Sequence, residues 1–397
     1  MSTHVGDLAS AARLVHPGGG ERRIGSDRVT GGGVTGTGTG DARGVHGARL
    51  TIDLGAVAEN WRRLAARGGA PCAAVIKADA YGCGIARVGP ALWAAGCRTF
   101  FVAHLAEGLA ARACLPDADI YVLNGLPPGA GSAYAEPRLR PVVGSAEELS
   151  DWAAFSAGRL PAALHVDTGM NRLGLPVPEA VALAGDPRIA AAGIDLVMSH
   201  FVSAERPGDP VNARQIADFA RVRAAYPGLP GSLANSSGIF LDGARHDLLR
   251  PGYALFGGNP TPEAGENPMR PVVRLEAPIL QVRDVEAGAS AGYNGRWTAP
   301  APSRLATLSL GYADGFPRAI SGRGHALVGG VPCPILGLVS MDLIILDVTG
   351  APEASRGACA VLIGDALDVD AVGRAAGTIG YEILTGLGSR YVRNYVG

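Results

Sequence analysis

The sequence predicts an α/β fold, a (β/α)8 barrel of the TIM type followed by a C-terminal all-β domain. Eight short apolar runs follow one another between residues 72 and 249, and helical segments separate most of them. Polar side chains stand at or just after the carboxyl ends of several runs, and a barrel gathers those ends onto one face. After about residue 270 the helical spacing disappears, and strand-like runs alternate with Gly and Pro turns.

The composition predicts a large folded core. At 397 residues, the chain is long enough for one large domain and a second, smaller one. Hydrophobic residues make up 47% of it and charged residues 18%. The formal net charge of −1 gives no electrostatic basis for binding nucleic acid or an anionic membrane, so we expect neither partner. No apolar run approaches the length of a membrane-spanning helix, and no metal site is predicted.

Residues 1–46 differ in kind from the rest of the chain. They are rich in Gly, Thr and Arg and show no apolar periodicity, so they cannot bury enough surface to offset their ordering entropy. We predict a disordered Gly-rich tail; a translation start further along the chain is another interpretation. Arg22 and Arg23 are not followed by the apolar segment of an export signal. The six cysteines include no C-x-x-C pair, which indicates reduced thiols. The absence of an export signal and the reduced thiols together favour a cytoplasmic protein.

The barrel is predicted over residues 47–270. Residues 49–54 alternate as a strand and, because they precede the barrel strands, are expected to pair with the β domain; a helix follows at 56–66. Ser145 and Glu148 form a capping box that begins one helix, and Gly96 is placed to end another. The barrel strands are predicted at 72–76, 99–103, 119–123, 140–143, 162–166, 194–199, 231–234 and 247–249, and helices between them at 85–95, 105–114, 145–157 and 212–225.

The β domain is predicted over residues 271–397. Its strand-like runs lie at 272–282, 304–309, 326–328, 332–338, 343–348 and 358–363. Gly and Pro residues between these runs are typical of tight turns.

Lys77 stands at the carboxyl end of the apolar run that closes with Val75 and Ile76. Burial there disfavours the charged ammonium, so the amine can be neutral near pH 7, as a proton-transfer or covalently binding lysine requires. Taken alone, such a lysine is more often a strand cap whose charge reaches solvent. Its neighbours, which include Tyr81 and Gly82, favour the functional interpretation.

Residues 49–397 resemble the alanine racemases, enzymes that bind pyridoxal 5′-phosphate (PLP). Each of the motifs concerned is weak alone, but they occur in order and at compatible spacing. The motifs are the Lys77 stretch 73–84 and the segments 165–174, 199–201, 234–237, 250–253, 291–293, 311–318, 340–342 and 381–384.

The resemblance implies that Lys77 binds PLP covalently. The phosphate needs N–H and hydroxyl donors near a helix N-terminus, which the segments 234–237 and 250–253 supply. Alone, the Asn-Ser-Ser stretch is typical of a helix cap, and both roles are compatible. The other residues implied to contact PLP are Tyr81, His200, Asn235, Ser236, Arg250, Gly252, Tyr253 and Tyr381.

Arg250 distinguishes this site from most PLP enzymes, in which a carboxylate keeps the pyridine nitrogen protonated. A guanidinium has only donors, so it leaves that nitrogen without a proton. The resulting weaker electron sink disfavours transamination and elimination, which suits a racemase. Taken alone, Arg250 is equally well read as a surface arginine.

Racemisation needs a base on each face of the substrate Cα. The resemblance assigns Lys77 to the D-enantiomer and Tyr293 to the L-enantiomer. A tyrosine pKa is ordinarily about 10, so positive neighbours must lower it, and the resemblance places His200 and Arg250 behind Tyr293. Alone, His200 is better read as a core histidine.

The resemblance also implies the substrate contacts. Arg172 and the backbone N–H of Met341 hold the carboxylate of alanine, and Tyr312 and Asp342 line the entrance. In that family the catalytic tyrosine, here Tyr293, comes from the partner subunit. This implies a homodimer with shared active sites, and contact within one chain is the alternative.

The chain departs from the family pattern at His165. Many relatives have a lysine there, sometimes carbamylated, which orients the arginine. Histidine excludes that modification, so Arg172 must be oriented by His165, an anion or another group. Cys83 and Ser340 replace a more usual histidine and cysteine, and neither change removes a proton carrier.

The leading hypothesis is a cytoplasmic alanine racemase (isomerase) that supplies D-alanine for peptidoglycan. A broader amino-acid racemase and a barrel decarboxylase that uses PLP are the nearest alternatives. A non-catalytic PLP-binding regulatory protein shares the barrel, but the long C-terminal domain and the Tyr293 motif argue against it.

Overall fold

The chain enters regular structure through strand β1 (Arg49–Asp53), which helix α1 (Leu54–Gly68) follows at once. The computed structural model describes residues 47–397, and the predicted tail 1–46 lies outside them. The Asp53 carboxylate accepts a hydrogen bond from the Ala56 N–H and so caps the helix. Gly69 ends it in the left-handed conformation, with φ of 66°.

Seven of the eight predicted barrel strands form a parallel sheet. In spatial order they are β2 (Ala74–Val75), β3 (Thr99–Val102), β4 (Asp119–Val122), β5 (Arg140–Val143), β6 (Ala162–Asp167), β8 (Ile194–Met198) and β9 (Gly231–Ser232), and the short β7 (Leu175–Pro176) pairs with β6. Their side chains are buried on both faces, as for Phe100 and Phe101.

The eighth predicted strand, 247–249, is shorter than expected. Only Leu249 forms a bridge, parallel to Cys72. The Leu249 N–H donates to the Pro71 carbonyl, the Ala73 N–H donates to the Leu249 carbonyl, and the Leu248 N–H donates to the Gly231 carbonyl. These bonds join the first and last strands, so the sheet closes into a barrel.

The predicted barrel helices are present. Gly96 ends one of them with φ of 114°, as expected. Ser145 accepts from the Glu148 N–H, but the Glu148 carboxylate accepts from the N–H groups of Gly144 and Leu126, so only half of the predicted capping box forms. The segments between the strands are the left-handed turn α2 (Lys77–Tyr81) and the helices α3 (Ile85–Ala95), α4 (Leu105–Cys114), α5 (Gly131–Ala135), α6 (Ala146–Ser156), α7 (Val177–Ala182), α8 (Pro187–Ala191) and α9 (Pro210–Ala225).

The C-terminal part contains an eight-stranded sheet. Its strands are β10 (Val273–Val285), β13 (Ser303–Ser309), β14 (His325–Val328), β15 (Val331–Leu336), β16 (Leu343–Asp347), β17 (Cys359–Ile363), β18 (Val392–Val396) and β1, and a hairpin of β11 (Ser290–Ala291) and β12 (Trp297–Thr298) extends from it. β1 pairs antiparallel with β10 and parallel with β18. β10 also pairs with β13, which closes the sheet on itself.

Two helices of this part were not predicted, α10 (Val369–Ala376) and α11 (Gly380–Thr385). The Asp368 side chain accepts from the Ala371 N–H and caps α10. Within the described residues, no helix is long and apolar enough to cross a membrane.

Gly315 is expected to be essential for stability. Its φ is 92°, and a Cβ atom there would lie 1.9 Å from the Gly386 carbonyl oxygen. Gly315→Ala combines this clash with a left-handed backbone, so we expect it to lower the free energy of unfolding by about 3 kcal/mol or more. Gly69→Ala is the control. Gly69 also has a positive φ, of 66°, but a Cβ atom there would have nothing within 4 Å, so we expect the free energy of unfolding to fall by only about 1 kcal/mol. Urea unfolding measures both, and equal losses would contradict the prediction.

Candidate active site

A cavity of about 290 Å³ opens at the carboxyl ends of the barrel strands. Ten of the predicted site residues line it: Lys77, Tyr81, Arg172, His200, Asn235, Ser236, Arg250, Gly252, Tyr253 and Tyr381. The described residues that line it include three cations and no carboxylate. Such a lining favours an anionic ligand.

Lys77 follows the buried end of β2 and faces this cavity. Burial and the nearby Arg172 lower the pKa of its amine, and the Glu107 carboxylate opposes them. The proton affinity of the amine is therefore reduced, as the sequence predicts for a proton carrier.

The backbone after Lys77 is left-handed over four residues. The φ angles of Ala78, Asp79, Ala80 and Tyr81 lie between 52° and 54°. This conformation is unfavourable for residues with a Cβ atom, so contacts must hold it. The Asp79 carboxylate accepts a hydrogen bond from the Ile85 N–H at 2.7 Å. The ring of Tyr81 stacks on the ring of Phe256, with 4.8 Å between the ring centroids.

Hydroxyl groups collect at the side of the cavity where the 3-10 turn Tyr253–Phe256 begins. Ser236 Oγ accepts from the N–H groups of Gly252 and Ala254, so its own O–H can be donated into the cavity. A Cβ atom on Gly252 would lie 2.3 Å from Tyr81 Oη, so only glycine lets that hydroxyl approach the backbone.

Two other predicted residues here have structural partners. The Tyr253 hydroxyl donates to Asp370 at 2.6 Å, and its ring stacks on Tyr381 at 3.8 Å. Asn235 Oδ1 accepts from the Gly238 N–H, so the cap interpretation holds for Asn235 while the residue also lines the cavity.

Arg250 is buried in the cavity wall. Its guanidinium donates to Ser232 Oγ and to the Ser199 carbonyl. Burial lowers the pKa of Arg250 to about 9, so it keeps its proton near neutral pH.

His200 lines the cavity together with Arg172 and Arg250. Burial, together with Arg250 and Arg172, lowers its pKa to about 3, so the imidazole is neutral near pH 7. Of the two residues that the resemblance places behind Tyr293, Arg250 is thus the one that carries a positive charge in the described chain.

The loop that carries Arg172 is shaped by Asp167 at the end of β6. The Asp167 carboxylate accepts from the N–H groups of Gly169, Met170 and Asn171, each at 2.8 Å. Arg172 then lies exposed at the mouth of the cavity. His165 also lines it, and burial together with Arg250 lowers its pKa to about 4.

The known families that match the chain divide it into two parts. The model of the alanine racemase N-terminal domain matches residues 52–260, and that of the C-terminal domain matches residues 272–395. The chain belongs to the alanine racemase family.

Individual members of the alanine racemase family are similar over most of their length. An alanine racemase from Methylobacterium nodulans is 70% identical over 358 residues, which cover 88% of this chain and 96% of that protein. An alanine racemase from Methylobacterium sp. (strain 4-46) is 67% identical over 358 residues, which cover 88% of this chain and 98% of that protein. The crystal structure of alanine racemase from Bartonella henselae with covalently bound pyridoxal phosphate has a TM-score of 0.84 and 40% identity, over 88% of this chain and 99% of that one.

Four residues that the alanine racemase resemblance predicts for the site lie outside the cavity. Tyr293 follows β11 at the tip of the hairpin and is 67% exposed. With Met341 and Asp342 it lines a separate, open depression. The N–H of Tyr312 donates to the Ser340 carbonyl, which holds the Tyr312 and Met341 loops together. The structure therefore brings these residues near one another but not to Lys77 of the same chain.

Some residues at this alanine racemase site were missed in the sequence. Asn124, the second residue after β4, lines the cavity, and the position of polar side chains at strand ends could have identified it. Asp370, which holds Tyr253, lies in the unpredicted α10 and gave no signal. The composition held one further signal: Lys77 is the single lysine of the chain.

The neutral histidines predict that acid destabilises the fold. The pKa of folded His165 is about 4 against an ordinary 6.5, so the unfolded chain binds more protons between these values. Stability is therefore lost as the pH falls from about 6.5 towards 4, by roughly 2 kcal/mol at pH 5 for this residue. We expect His165→Asn to lose less stability than the wild type between pH 7 and pH 5 in urea unfolding. Parallel losses would show that His165 is not the source.

Proposed function

We propose that the protein is a PLP-dependent alanine racemase that interconverts L-alanine and D-alanine. The observation that carries the proposal is the single lysine of the chain at the end of β2, in a cavity with two arginines and no carboxylate among its described lining residues. A phosphate and a carboxylate both fit that lining. Membership of the alanine racemase family supports the same activity.

The cavity residues fit PLP. Lys77 would bind it covalently, and the hydroxyl groups of Tyr81, Ser236 and Tyr381 would donate to its phosphate beside the 3-10 turn Tyr253–Phe256. Arg250 would face the pyridine nitrogen. When bound, PLP supplies an electron sink that makes the Cα proton of the substrate acidic.

The residues of the chain bind the substrate and move its Cα proton. Arg172, at the mouth of the cavity, binds the substrate carboxylate and so fixes which groups lie above and below Cα. Lys77 Nζ takes or returns the Cα proton on one face, for D-alanine. Tyr293 Oη does so on the other face, for L-alanine. Because Arg250 keeps its proton, it would offer only hydrogen-bond donors to the pyridine nitrogen of bound PLP.

Tyr293 requires a second subunit in this proposal. The depression that it lines is flanked by exposed apolar side chains, with Met341 at 53% and Leu343 at 40%. In a symmetric dimer each subunit presents the same two surfaces, so the β domain (271–397) of one would cover the barrel (47–270) of the other. Tyr293 and the Met341 N–H would then complete the partner's cavity, and Tyr312 and Asp342 would line its entrance.

Spectroscopy and product analysis test the proposal. The purified full-length protein is expected to be yellow with bound PLP and to bring either enantiomer of alanine to an equal mixture, followed by chiral chromatography. Release of CO2 without D-alanine would identify a decarboxylase, and equal turnover of serine, lysine or arginine would identify a broader racemase. A colourless, inactive protein would contradict the proposal.

The biological role is part of the proposal. We infer that the enzyme works in the cytoplasm and supplies D-alanine for peptidoglycan. Expression in a bacterium that needs added D-alanine is expected to restore growth without it, and expression of a Lys77→Ala variant is the control. Failure of the active wild-type protein to restore growth would contradict the role.

A further inference from the structure

Glu107 connects the turn after Lys77 to the neighbouring strand of the barrel. It is the third residue of α4, and its Oε2 accepts from the N–H groups of Ala103 and His104 at 2.7 and 3.1 Å. Its Oε1 accepts from the N–H of Ala78 at 2.7 Å. One partly buried carboxylate thus binds the loop after β3 and the peptide directly after Lys77.

The Ala78 peptide is a point where the backbone needs support. It begins the four left-handed residues that follow Lys77, a conformation that costs roughly 1–2 kcal/mol for each residue with a Cβ atom. The far end of the turn is held by Arg393, whose guanidinium donates to the Gly82 carbonyl at 2.6 Å. Glu107 holds the near end, next to the amine-bearing residue.

We propose that Glu107 is a positioning residue for Lys77. Through the Ala78 N–H it fixes where the Lys77 side chain leaves the backbone, and its negative charge balances Arg172 at the amine. The inference rests on the proposed function, because it assigns Glu107 to the placement of one of the two bases.

The charges around Lys77 support this balance. Burial and Arg172 lower the pKa of the amine, and Glu107 raises it. The other ionisable groups of the cavity wall are His165, His200, Arg250, Tyr81, Tyr253 and Tyr381. Glu107 is not among the residues that line the cavity, so a ligand bound there would not contact its carboxylate.

Glu148 provides a matched control in the same barrel. It is the third residue of α6, and its carboxylate accepts from the N–H of Gly144 after β5 and of Leu126 after β4. It makes the same kind of connection between neighbouring loops, but no lysine precedes Leu126 in its loop. A purely structural role would therefore make Glu107→Gln and Glu148→Gln equivalent.

The decisive measurement uses the single lysine. Full-length wild type, Glu107→Gln and Glu148→Gln are freed of PLP and acetylated with acetic anhydride over a range of pH, and the Lys77 peptide is quantified by mass spectrometry. We expect the labelling midpoint of Glu107→Gln to lie about one pH unit below that of the wild type, because the amine loses a nearby negative charge. Glu148→Gln is expected to keep the wild-type midpoint.

The PLP-loaded enzymes give a second measurement. Racemisation by Glu107→Gln is expected to fall about ten- to a hundredfold in kcat, because misplacement of a base by a fraction of an ångström is costly. Thermal unfolding of all three proteins shows whether the loss of kcat comes from a misplaced Lys77 or from a less stable fold. The proposal requires Glu107→Gln to unfold within a few degrees of Glu148→Gln.

Three outcomes would overturn the proposal: a Glu107→Gln midpoint equal to that of the wild type, an equal shift in both variants, or a loss of folding in Glu107→Gln alone. Failure of the wild type to racemise alanine would overturn the proposed function instead. The labelling comparison would still decide the effect of Glu107 on the amine.

Discussion

Lys77→Ala is expected to abolish both the yellow colour of bound PLP and racemisation in both directions, with turnover lowered by at least about 10³-fold. The physical reason is that the variant contains no ε-amine at all, since Lys77 is the single lysine of the chain. No neighbouring lysine can substitute for it, as sometimes happens in lysine-rich proteins. Absorption spectra and chiral product analysis measure the two losses.

Lys77→Arg is the matched control for charge. It keeps a cation at the end of β2, but a guanidinium keeps its proton and cannot bind PLP covalently. We therefore expect it to be as inactive as Lys77→Ala. Added methylamine is expected to restore part of the activity of Lys77→Ala only, because alanine leaves space for a small amine. If Lys77→Arg racemised alanine at the wild-type rate, the assignment of Lys77 as a base would be wrong.

Tyr293→Phe is expected to keep the colour and to lower conversion of L-alanine by about 10²–10⁴-fold, the usual contribution of a positioned proton carrier. Lys77 is intact in this variant, so the Cα proton of D-alanine is expected to exchange with solvent deuterium much faster than L-alanine forms. Mass spectrometry follows the exchange. Tyr312→Phe, at the predicted entrance, is expected to have a smaller effect because it carries no proton in the reaction.

Mixed dimers test where Tyr293 acts. If the cavity is shared, a dimer of one Lys77→Ala chain and one Tyr293→Phe chain contains one site with both groups intact. Random pairing gives about half mixed dimers with one of two sites native, so about a quarter of the wild-type activity is expected on co-expression. If both groups came from one chain, every site would lack one of them, and activity would stay at the level of the separate variants.

The sequence predicts the barrel side of this site well, and for a physical reason. Residues such as Lys77 and Arg250 follow apolar strand runs, and a parallel barrel brings all strand ends to one face regardless of loop details. Knowledge of the strands therefore suffices to predict that these side chains meet. The shortened eighth strand does not change this result, because Leu249 alone is enough to close the sheet.

Other features depend on packing that a linear pattern does not contain. Glu107 was read only as part of a helix, because its bond to Ala78 joins residues 29 positions apart. The charge of His200 is decided by its burial beside two arginines, whereas its motif gave only its identity. The helix α10 has eight residues, which is too few for a helical apolar period to be distinguished from the surrounding strand pattern.

The parallel pairing of β1 with β18 has a consequence for protein synthesis. β18, which pairs with β1, and Arg393, whose guanidinium donates to the Gly82 carbonyl, are translated long after β1 itself. At about 5–20 residues per second, the first strand waits roughly 20–70 s for its partner. A chain that terminates before β18 therefore lacks both this strand pairing and the Arg393 support of the turn after Lys77.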